Sequence, residues 1–513
     1  MAFPFLARIL IKQKLALSSP PDRPIARYKQ NMTTIMEWPS DGLITPGWAK
    51  SLAQTLDASS RSGEPPKHLS KVFPKQVHER LMKHTLNLLE AEPTLLRLQP
   101  PLDTEVVVVG DTHGQLHDAL KLMQIAGEPS ETNWYVFNGD FVDRGAWGAE
   151  LFAVVLAWKA ACPEFVFLLR GNHECEFCTE VYGYKRELQV KYSKPSGNVL
   201  WRNFMNVGSE LPLAAMIGDK TLVLHGGLFR GKKRKGKGRN AKLTVGTLDE
   251  LASAWKGGGD PDGEGDATIA GDVLWSDPAP ESGEGSVVGL IPNENRGIGT
   301  MFGPDATSEF LKLNNLSLIL RSHEGPDARE DRVGMDPMKN GFSIDHDIAG
   351  VGKLCTVFSA PDYPQFIEQG DIRHNNAATF VRLSGKTDWC DPTPTSFTAC
   401  HPRPVSAPYY DITVGGSDEE GPDGELARET RANGSEDARE EEGDVGNGEV
   451  KGVTDDVEPD RSMSSPKNSG EVSENDTTVE IDKNWNPDGS KDSIDPEKDT
   501  SNQPTQSPSQ RPR

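Results

Sequence analysis

Cysteine is scarce: the 513 residues hold 6 of them. With no recognisable secretory leader, so few thiols fit a reducing compartment and argue against a disulfide framework. Cys175 and Cys178 form the one CxxC pair, which is too few soft ligands for a thiolate zinc site, so a structural role is expected of them. Long apolar runs are missing too. None approaches the roughly 20 residues that cross a bilayer, which excludes a helical membrane span. Aromatic residues make up 7% of the chain, and no stacking residues accompany its basic stretch, so nucleic-acid binding has no support. With 35% hydrophobic residues, 38 Pro and 50 Gly, much of the sequence is not expected to pack. One domain of about 300 residues is the economical reading.

The net charge of -22 is unevenly spread, because from residue 416 onward 27 acidic residues face 11 basic ones. That stretch has too few apolar side chains to offset the entropy of ordering, so 413–513 is expected to be a disordered acidic tail. A solvated spacer is its default role, with a regulatory contact left open. Residues 1–36 are expected to be a disordered extension. MAFPFLARILIKQKLALSSPPDRP has no acidic residue before Asp22, which also leaves an organellar transit peptide open. Residues 37–98 read as amphipathic helices, with Leu81, Leu86, Leu88 and Leu89 on an apolar face packed against the main domain, 99–412.

Within that domain, five short apolar runs each lead into a residue able to bind metal or carry a proton. They are VVVVG-Asp111-T-His113, YVFNG-Asp140, FVFLLRG-Asn172-His173, TLVL-His225-GG and LSLILRS-His323. Runs of this length, rich in branched and aromatic residues and followed by Gly, read as buried strands entering loops. In open α/β sheets the ligand site lies beyond the carboxyl ends of the strands, so these side chains can meet. Two carboxylates, three imidazoles and an amide, with no thiolate, suit Mn, Fe or Zn. The other histidines are assigned bland roles: His117 on a helix surface, His346 and His374 in core or surface positions. Arg170, charged inside an apolar run, is read as a structural ion pair.

The strings GDTHG, GDFVDRG, LLRGNHE, HGGL, RSHE and FSAPDY occur in that order, and together they resemble the signature set of the metal-dependent serine/threonine phosphoprotein phosphatases. The resemblance covers about residues 100 to 385. SETNWYVFNGDFVDRG and LWSDP resemble the type-five branch; SHEGPDAR, SAPDYPQF and PRPVSAPYYD resemble the plant type-seven phosphatase. It implies an α/β fold, a metallophosphoesterase-type β-sandwich of mixed sheets flanked by helices. It also implies two metal ions, Mn2+ or Fe with Zn, with Asp111, His113 and Asp140 on one and Asp140, Asn172, His225 and His323 on the other. Phosphoserine and phosphothreonine in proteins would then be hydrolysed by a hydroxide generated at the metal pair. His173 would protonate the leaving alkoxide, Asp143 would hold His173 and raise its pKa, Arg144 and Arg296 would bind the phosphoryl group with Asn172, and Tyr363 would lie beside the substrate. Asp362 stands where most relatives carry Asn. The alternative reading is a catalytically silent phosphoprotein-binding scaffold of the same fold.

An insert over 230–270 separates HGGLF from LWSDP. Its cluster of Lys232, Lys233, Arg234, Lys235, Lys237 and Arg239 resembles a nuclear import signal, which points to the nucleus and possible cytoplasmic sharing. By resemblance to plant relatives the insert is also a candidate calmodulin site, although its glycines weaken a continuous helix. Asp260, Asp262 and Glu264 fail the calcium-loop pattern and are read as a flexible linker.

Overall fold

The strand Glu105–Val109 shows how the core is layered. Val106 and Val108 face one cluster of buried side chains, Val107 and Val109 another, the period-two alternation of a strand buried on both faces. The computed structural model describes residues 34–235, 242–363 and 374–410, and for 233–235 the backbone alone. All of them belong to one compact unit. Nearly all of the expected extension, 1–33, and the whole of the expected acidic tail, 413–513, lie outside the described residues.

Two mixed sheets form a sandwich. The first has five strands in the order Thr393–Phe397, Ala378–Ser384, Glu105–Val109, Asn133–Phe137 and Val166–Leu168, the last three mutually parallel. Its parallel strands are joined through the helices Leu116–Ala126 and Gly148–Ala161, the crossover that parallel pairing demands. The second sheet has six strands, Leu95–Leu98, Ala214–Ile217, Thr221–Leu224, Leu318–Arg321, Gly352–Val357 and Phe342–Ile348. Between the sheets lie Val106, Val108, Val136, Leu169, Val223, Leu320 and Val357. The outer face of the first sheet is covered by helices that include Gly148–Ala161, on which Pro46–Ser60 and Lys75–Leu89 pack in turn, with Lys194–Glu210 against Lys75–Leu89. The outer face of the second is covered by Thr268–Trp275 and Pro304–Leu313.

Three expectations are corrected here. The boundary at residue 98 falls inside the fold, because Leu95–Leu98 pairs in parallel with Ala214–Ile217 and Met36 N–H already donates to the Val72 carbonyl at 2.7 Å. A four-residue apolar run after a helix carries no period long enough to announce a strand. On Lys75–Leu89 the buried face is Val77, His78, Leu81, Met82, Thr85 and Leu89, with Leu86 and Leu88 only half-buried. The acidic part of the insert is pinned rather than a free linker: Asp260 Oδ1 accepts from Phe177 N–H at 3.0 Å, and Arg170 donates to the Lys256 and Gly259 carbonyls at 2.7 and 3.2 Å. Ahead of it, Arg230–Lys235 and Lys242–Val245 pair antiparallel, and Leu248–Ala252 is a short helix closed by a Thr247/Glu250 capping box. No helix among the described residues is long and apolar enough to cross a membrane.

Candidate metal centre and active site

All five apolar runs end where the sequence places them. Asp111 follows Glu105–Val109, Asp140 follows Asn133–Phe137, and Asn172 and His173 follow Val166–Leu168; His225 and His323 follow Thr221–Leu224 and Leu318–Arg321 of the other sheet. The carboxyl ends of strands from both sheets therefore meet at one rim of the sandwich. Close approach there needs glycine: a Cβ at Gly171 would stand 2.2 Å from Asp140 Oδ1, and Gly139, at φ 85°, lies against Gly171. Five site residues hold left-handed backbones, His113 (39°), Asp140 (50°), Asp143 (68°), Arg144 (63°) and His323 (72°). Each such conformation costs about 1 kcal/mol or more and persists only where surrounding contacts enforce it.

Those contacts are on view. Glu174, fully buried, accepts the N–H groups of Asp140, Phe141 and Gly171 at 2.8, 2.9 and 2.9 Å and so ties two of the loops together. His173 N–H donates to Asp140 Oδ1 at 3.0 Å. His323 N–H donates to both oxygens of Asp111, at 3.2 and 3.1 Å.

Asp140 is the centre of the arrangement. Its Oδ2 makes no aligned hydrogen bond and lies 3.7 Å from His113 Nε2 and 3.3 Å from His225 Nε2. His225 Nδ1 donates to the Asn138 carbonyl at 2.7 Å, which turns the Nε2 lone pair of a neutral ring toward Asn172 Oδ1 at 2.9 Å. His323 Nδ1 reaches the same Asn172 oxygen at 2.9 Å. Likewise His113 Nδ1 donates to the Val142 carbonyl at 3.0 Å and presents Nε2 to the site. Lone pairs aimed at one another in a dry interior are the donor set of a cation. Two groups have ligand atoms within 4.8 Å of one another, His113–Asp140–His173 and Asp140–His225–His323, and Asp140 belongs to both. Asp111 stands outside these groups but beside them, its Oδ1 3.9 Å from His225 Nδ1.

The protonation pattern agrees with a cation-binding cluster. Burial and the Asp140 charge push Asp111 up to about 8. Burial would lower His225, but Asp140 beside it reverses this and takes it to about 9, so without a cation Nε2 carries a proton in the place a bound metal would take, and the neutral ring is the metal-binding form. A sandwich whose strand ends gather two carboxylates, three imidazoles and an amide around a shared aspartate is a protein with a two-metal site.

Around it lie the remaining predicted residues. His173 Nδ1 is 2.8 Å from Asp143 Oδ2, and Asp143 Oδ1 accepts Tyr184 N–H at 2.9 Å, so the pair is built into the fold. Burial pushes the Asp143 carboxyl up to about 6 even though His173 opposes it. Arg144 lies 4.0 Å over the Tyr182 ring, whose centre is 5.2 Å from that of His173. Arg296 Nε donates to Asp277 Oδ2 at 2.6 Å, and Arg321 donates to Asp277 Oδ1 at 3.1 Å. Burial alone would raise Asp277; the guanidinium groups of Arg296 and Arg321 override it and hold the carboxyl at about 2. Tyr363 stacks on His113 at 5.4 Å, with its N–H held by Asn376. Asp362 pairs with Arg403 at 3.4 Å.

Glu174, Asp277 and Tyr182 carry no assigned role in the sequence reading. Glu174 and Asp277 stand within GNHE and LWSDP, and that position is their only signal in the sequence; Tyr182 has none. His117 is corrected: it is buried, bonded to Ser60 Oγ at 2.8 Å and edge-on to Trp147, because helix Pro46–Ser60 covers the start of its own helix. His346 is a satisfied core residue between Thr307 Oγ1 and the Ala279 carbonyl, both at 2.7 Å. Arg170 is structural, and its guanidinium donates to main-chain carbonyls, including Glu174 O at 3.0 Å. Cys175 caps the helix Glu176–Val181, its Sγ accepting from Cys178 N–H at 3.4 Å, and neither cysteine is in a disulfide.

The comparisons with known proteins agree. The model of the calcineurin-like phosphoesterase family matches residues 104–327. Serine/threonine-protein phosphatase 7 of Arabidopsis thaliana is 44% identical over 391 residues, covering 73% of this chain and 92% of that protein. A long form homolog of that phosphatase from the same plant is 39% identical over 73% of this chain, which spans 29% of its length. Among solved structures, a Saccharomyces cerevisiae protein serine/threonine phosphatase described as similar to human PP5 aligns with a TM-score of 0.51 at 30% identity, over 66% of this chain and 94% of that one. The chain belongs to the calcineurin-like phosphoesterases, in the serine/threonine phosphatase group that contains types seven and five.

Proposed function

We propose that the chain is a protein phosphatase that hydrolyses phosphoserine and phosphothreonine. The observation that carries this reading is Asp140 Oδ2, aimed at the ring nitrogens of both His113 and His225. Asp111, His113 and Asp140 would hold one metal ion, and Asp140, Asn172, His225 and His323 the other. Mn2+, or Fe with Zn, suits such oxygen and nitrogen donors. Bound there, two cations would supply an activated water and would neutralise the charge that develops on a phosphoryl group.

The chain's own residues supply the rest. Asp143 accepts the Nδ1 proton of His173 and so directs Nε2 toward the metal site, where a protonated ring can hand its proton to the leaving alkoxide. Arg144, backed by Tyr182, and Arg296, locked by Asp277, offer planar donors to phosphoryl oxygens. Asn172 would contribute to phosphate binding, and Tyr363, stacked on His113, walls the site beside the substrate.

Nuclear residence, through the basic cluster around 232–239, is part of the proposal. That cluster begins in a strand, Arg230–Lys235, its remainder from 236 lies outside the described residues, and nothing among the described residues supports calmodulin binding.

The test is phosphate release from a phosphothreonine peptide by Mn-loaded protein beside the His173→Asn variant. Turnover that collapses in the variant supports the reading. An unmodified protein that binds the peptide and releases no phosphate makes it a scaffold instead.

A further inference from the structure

Between the two sheets the packing is apolar, with Val108 and Val136 from one and Val223 and Leu320 from the other in a single buried cluster. Apolar contact resists separation but has no direction, so it does not by itself fix how the strand ends of one sheet stand against those of the other. Directional bonds do, and at the rim a circuit of them begins at Asn138. This buried residue follows the strand Asn133–Phe137 of the first sheet and stands two positions before Asp140. Its Nδ2 donates to the Leu224 carbonyl at 2.8 Å and to Ser322 Oγ at 2.9 Å, at the ends of two neighbouring strands of the second sheet. A carbonyl only accepts, so the amide nitrogen and not its oxygen faces Leu224. Leu224 directly precedes His225, and Ser322 directly precedes His323. The circuit then closes on itself: Ser322 N–H donates to the His225 carbonyl at 2.9 Å, and His225 Nδ1 donates to the Asn138 carbonyl at 2.7 Å. Gly110, just before Asp111, leaves room for it, since a Cβ there would stand 3.1 Å from Ser322 Oγ and 2.2 Å from the Val357 carbonyl oxygen.

We infer that Asn138 and Ser322 are positioning residues: their side-chain bond across the sandwich sets where Asp140, carried by the first sheet, stands relative to His225 and His323, carried by the second. The inference rests on the proposed two-metal reading, in which Asp140 is shared. Asp140, His225 and His323 offer their ligand atoms together although they come from different sheets, so the group exists only while the two rims keep one relation. The Asn138 carbonyl is not enough for this. It orients the His225 ring, a contact that any residue at 138 can make, whereas the side-chain amide reaches past His225 to the strand end that carries His323. Without the bridge the ligands have to be gathered by the cation itself, and that ordering cost is subtracted from its affinity. Outer-shell partners of metal ligands typically account for about 10- to 100-fold in metal affinity.

The experiment titrates full-length, metal-stripped protein with Mn2+ beside Asn138→Leu, which removes both donors, Ser322→Ala and the double variant. Calorimetry reads the binding steps, paramagnetic resonance reads whether two bound ions couple, and denaturant midpoints of the metal-free forms read the fold. In Asn138→Leu the second Mn2+ to bind should be held about ten- to a hundredfold more weakly, and the coupled signal should give way to that of isolated ions. Ser322→Ala should cost about three- to tenfold, the worth of one hydrogen bond, and less than about twofold when Asn138 is already replaced. Excess Mn2+ should return hydrolysis of a phosphothreonine peptide to within about threefold of the unmodified protein, by mass action. Lower stability with Mn2+ affinity and coupling unchanged would make the bridge merely structural and overturn the inference, as would equal losses from Ser322→Ala in both backgrounds. An unmodified protein that binds fewer than two Mn2+ overturns it too. If Asn138→Leu does not fold, Ser322→Ala decides alone, and unchanged Mn2+ affinity there is the contrary result. Coupled Mn2+ binding that depends on Asn138 in a protein that hydrolyses no phosphopeptide would uphold the inference and sink the phosphatase reading alone.

Discussion

The rim of strand ends and the insert behind it are built on opposite terms. At the rim, side chains meet side chains: Asp140 faces His113 and His225, Asp143 holds His173, and Asp277 holds Arg296. In the insert, side chains meet main chain: Arg170 reaches the Lys256 and Gly259 carbonyls, and Asp260 caps Phe177 N–H. The first kind of contact demands a residue type at both ends and leaves a pattern in sequence. The second demands it at one end only. The two regions nevertheless adjoin, since Arg170 lies in the loop that carries Asn172 and His173 and also donates to the Glu174 carbonyl at 3.0 Å.

Substitutions should separate the two regimes. Asp140→Asn removes the ligand shared by both metal groups, and phosphate release should fall by a hundredfold or more, on the order of what even outer-shell losses cost; metal content measured on the same sample should drop with it. His173→Asn should lower kcat by about 10² to 10⁴ while metal content stays at the level of the unmodified protein. Retained activity there would remove the proton-donor role. Arg170→Met, by contrast, leaves buried carbonyls unpaired, and unfolding should become easier by about 2 to 4 kcal/mol, read from denaturant midpoints. If its main effect is on kcat at unchanged stability, the insert belongs to the chemistry after all.

A third region, the helical layer, adds a pH dependence of its own. Burial lowers His78 and His117 to about 3, with the Lys191 charge adding to both and Arg61 and Arg403 to His117. Their unfolded forms bind protons below about 6.5, so the unfolded state takes up more protons between 6.5 and 3. The stability they contribute is complete above 6.5 and falls as pH is lowered through that window, by about 1.4 kcal/mol per pH unit for each ring. His78→Gln should flatten the acid limb of a stability profile by one ring's share. The smallest effect is expected from deleting residues 416–513, with peptide turnover changed by less than about twofold. A several-fold rise would assign the tail an inhibitory role.

What the sequence made legible follows the same division. The strand ends with Asp111, His113, Asp140, Asn172, His173, His225 and His323 could be read because fully buried strands are continuously apolar and the loop after each carries a donor. Leu95–Leu98 was hidden in the tail of a helical segment, since four apolar residues fit either element. Glu174 shows no role in the sequence although it stands within GNHE, because its partners are main-chain N–H groups. Helical spacing places His117 on a surface and does not reveal that Trp147 and Ser60 close over it. Tyr182 reaches Arg144 only through the folded path of the chain, from the segment after GNHE.

The central claim is that one aspartate joins two metal positions. Anomalous diffraction from crystals of the Mn-loaded protein tests it most directly. Two peaks, both within ligand reach of the Asp140 carboxylate and divided between the His113 side and the His225–His323 side, are the result the account predicts. A single peak, or two peaks of which only one touches Asp140, would contradict it.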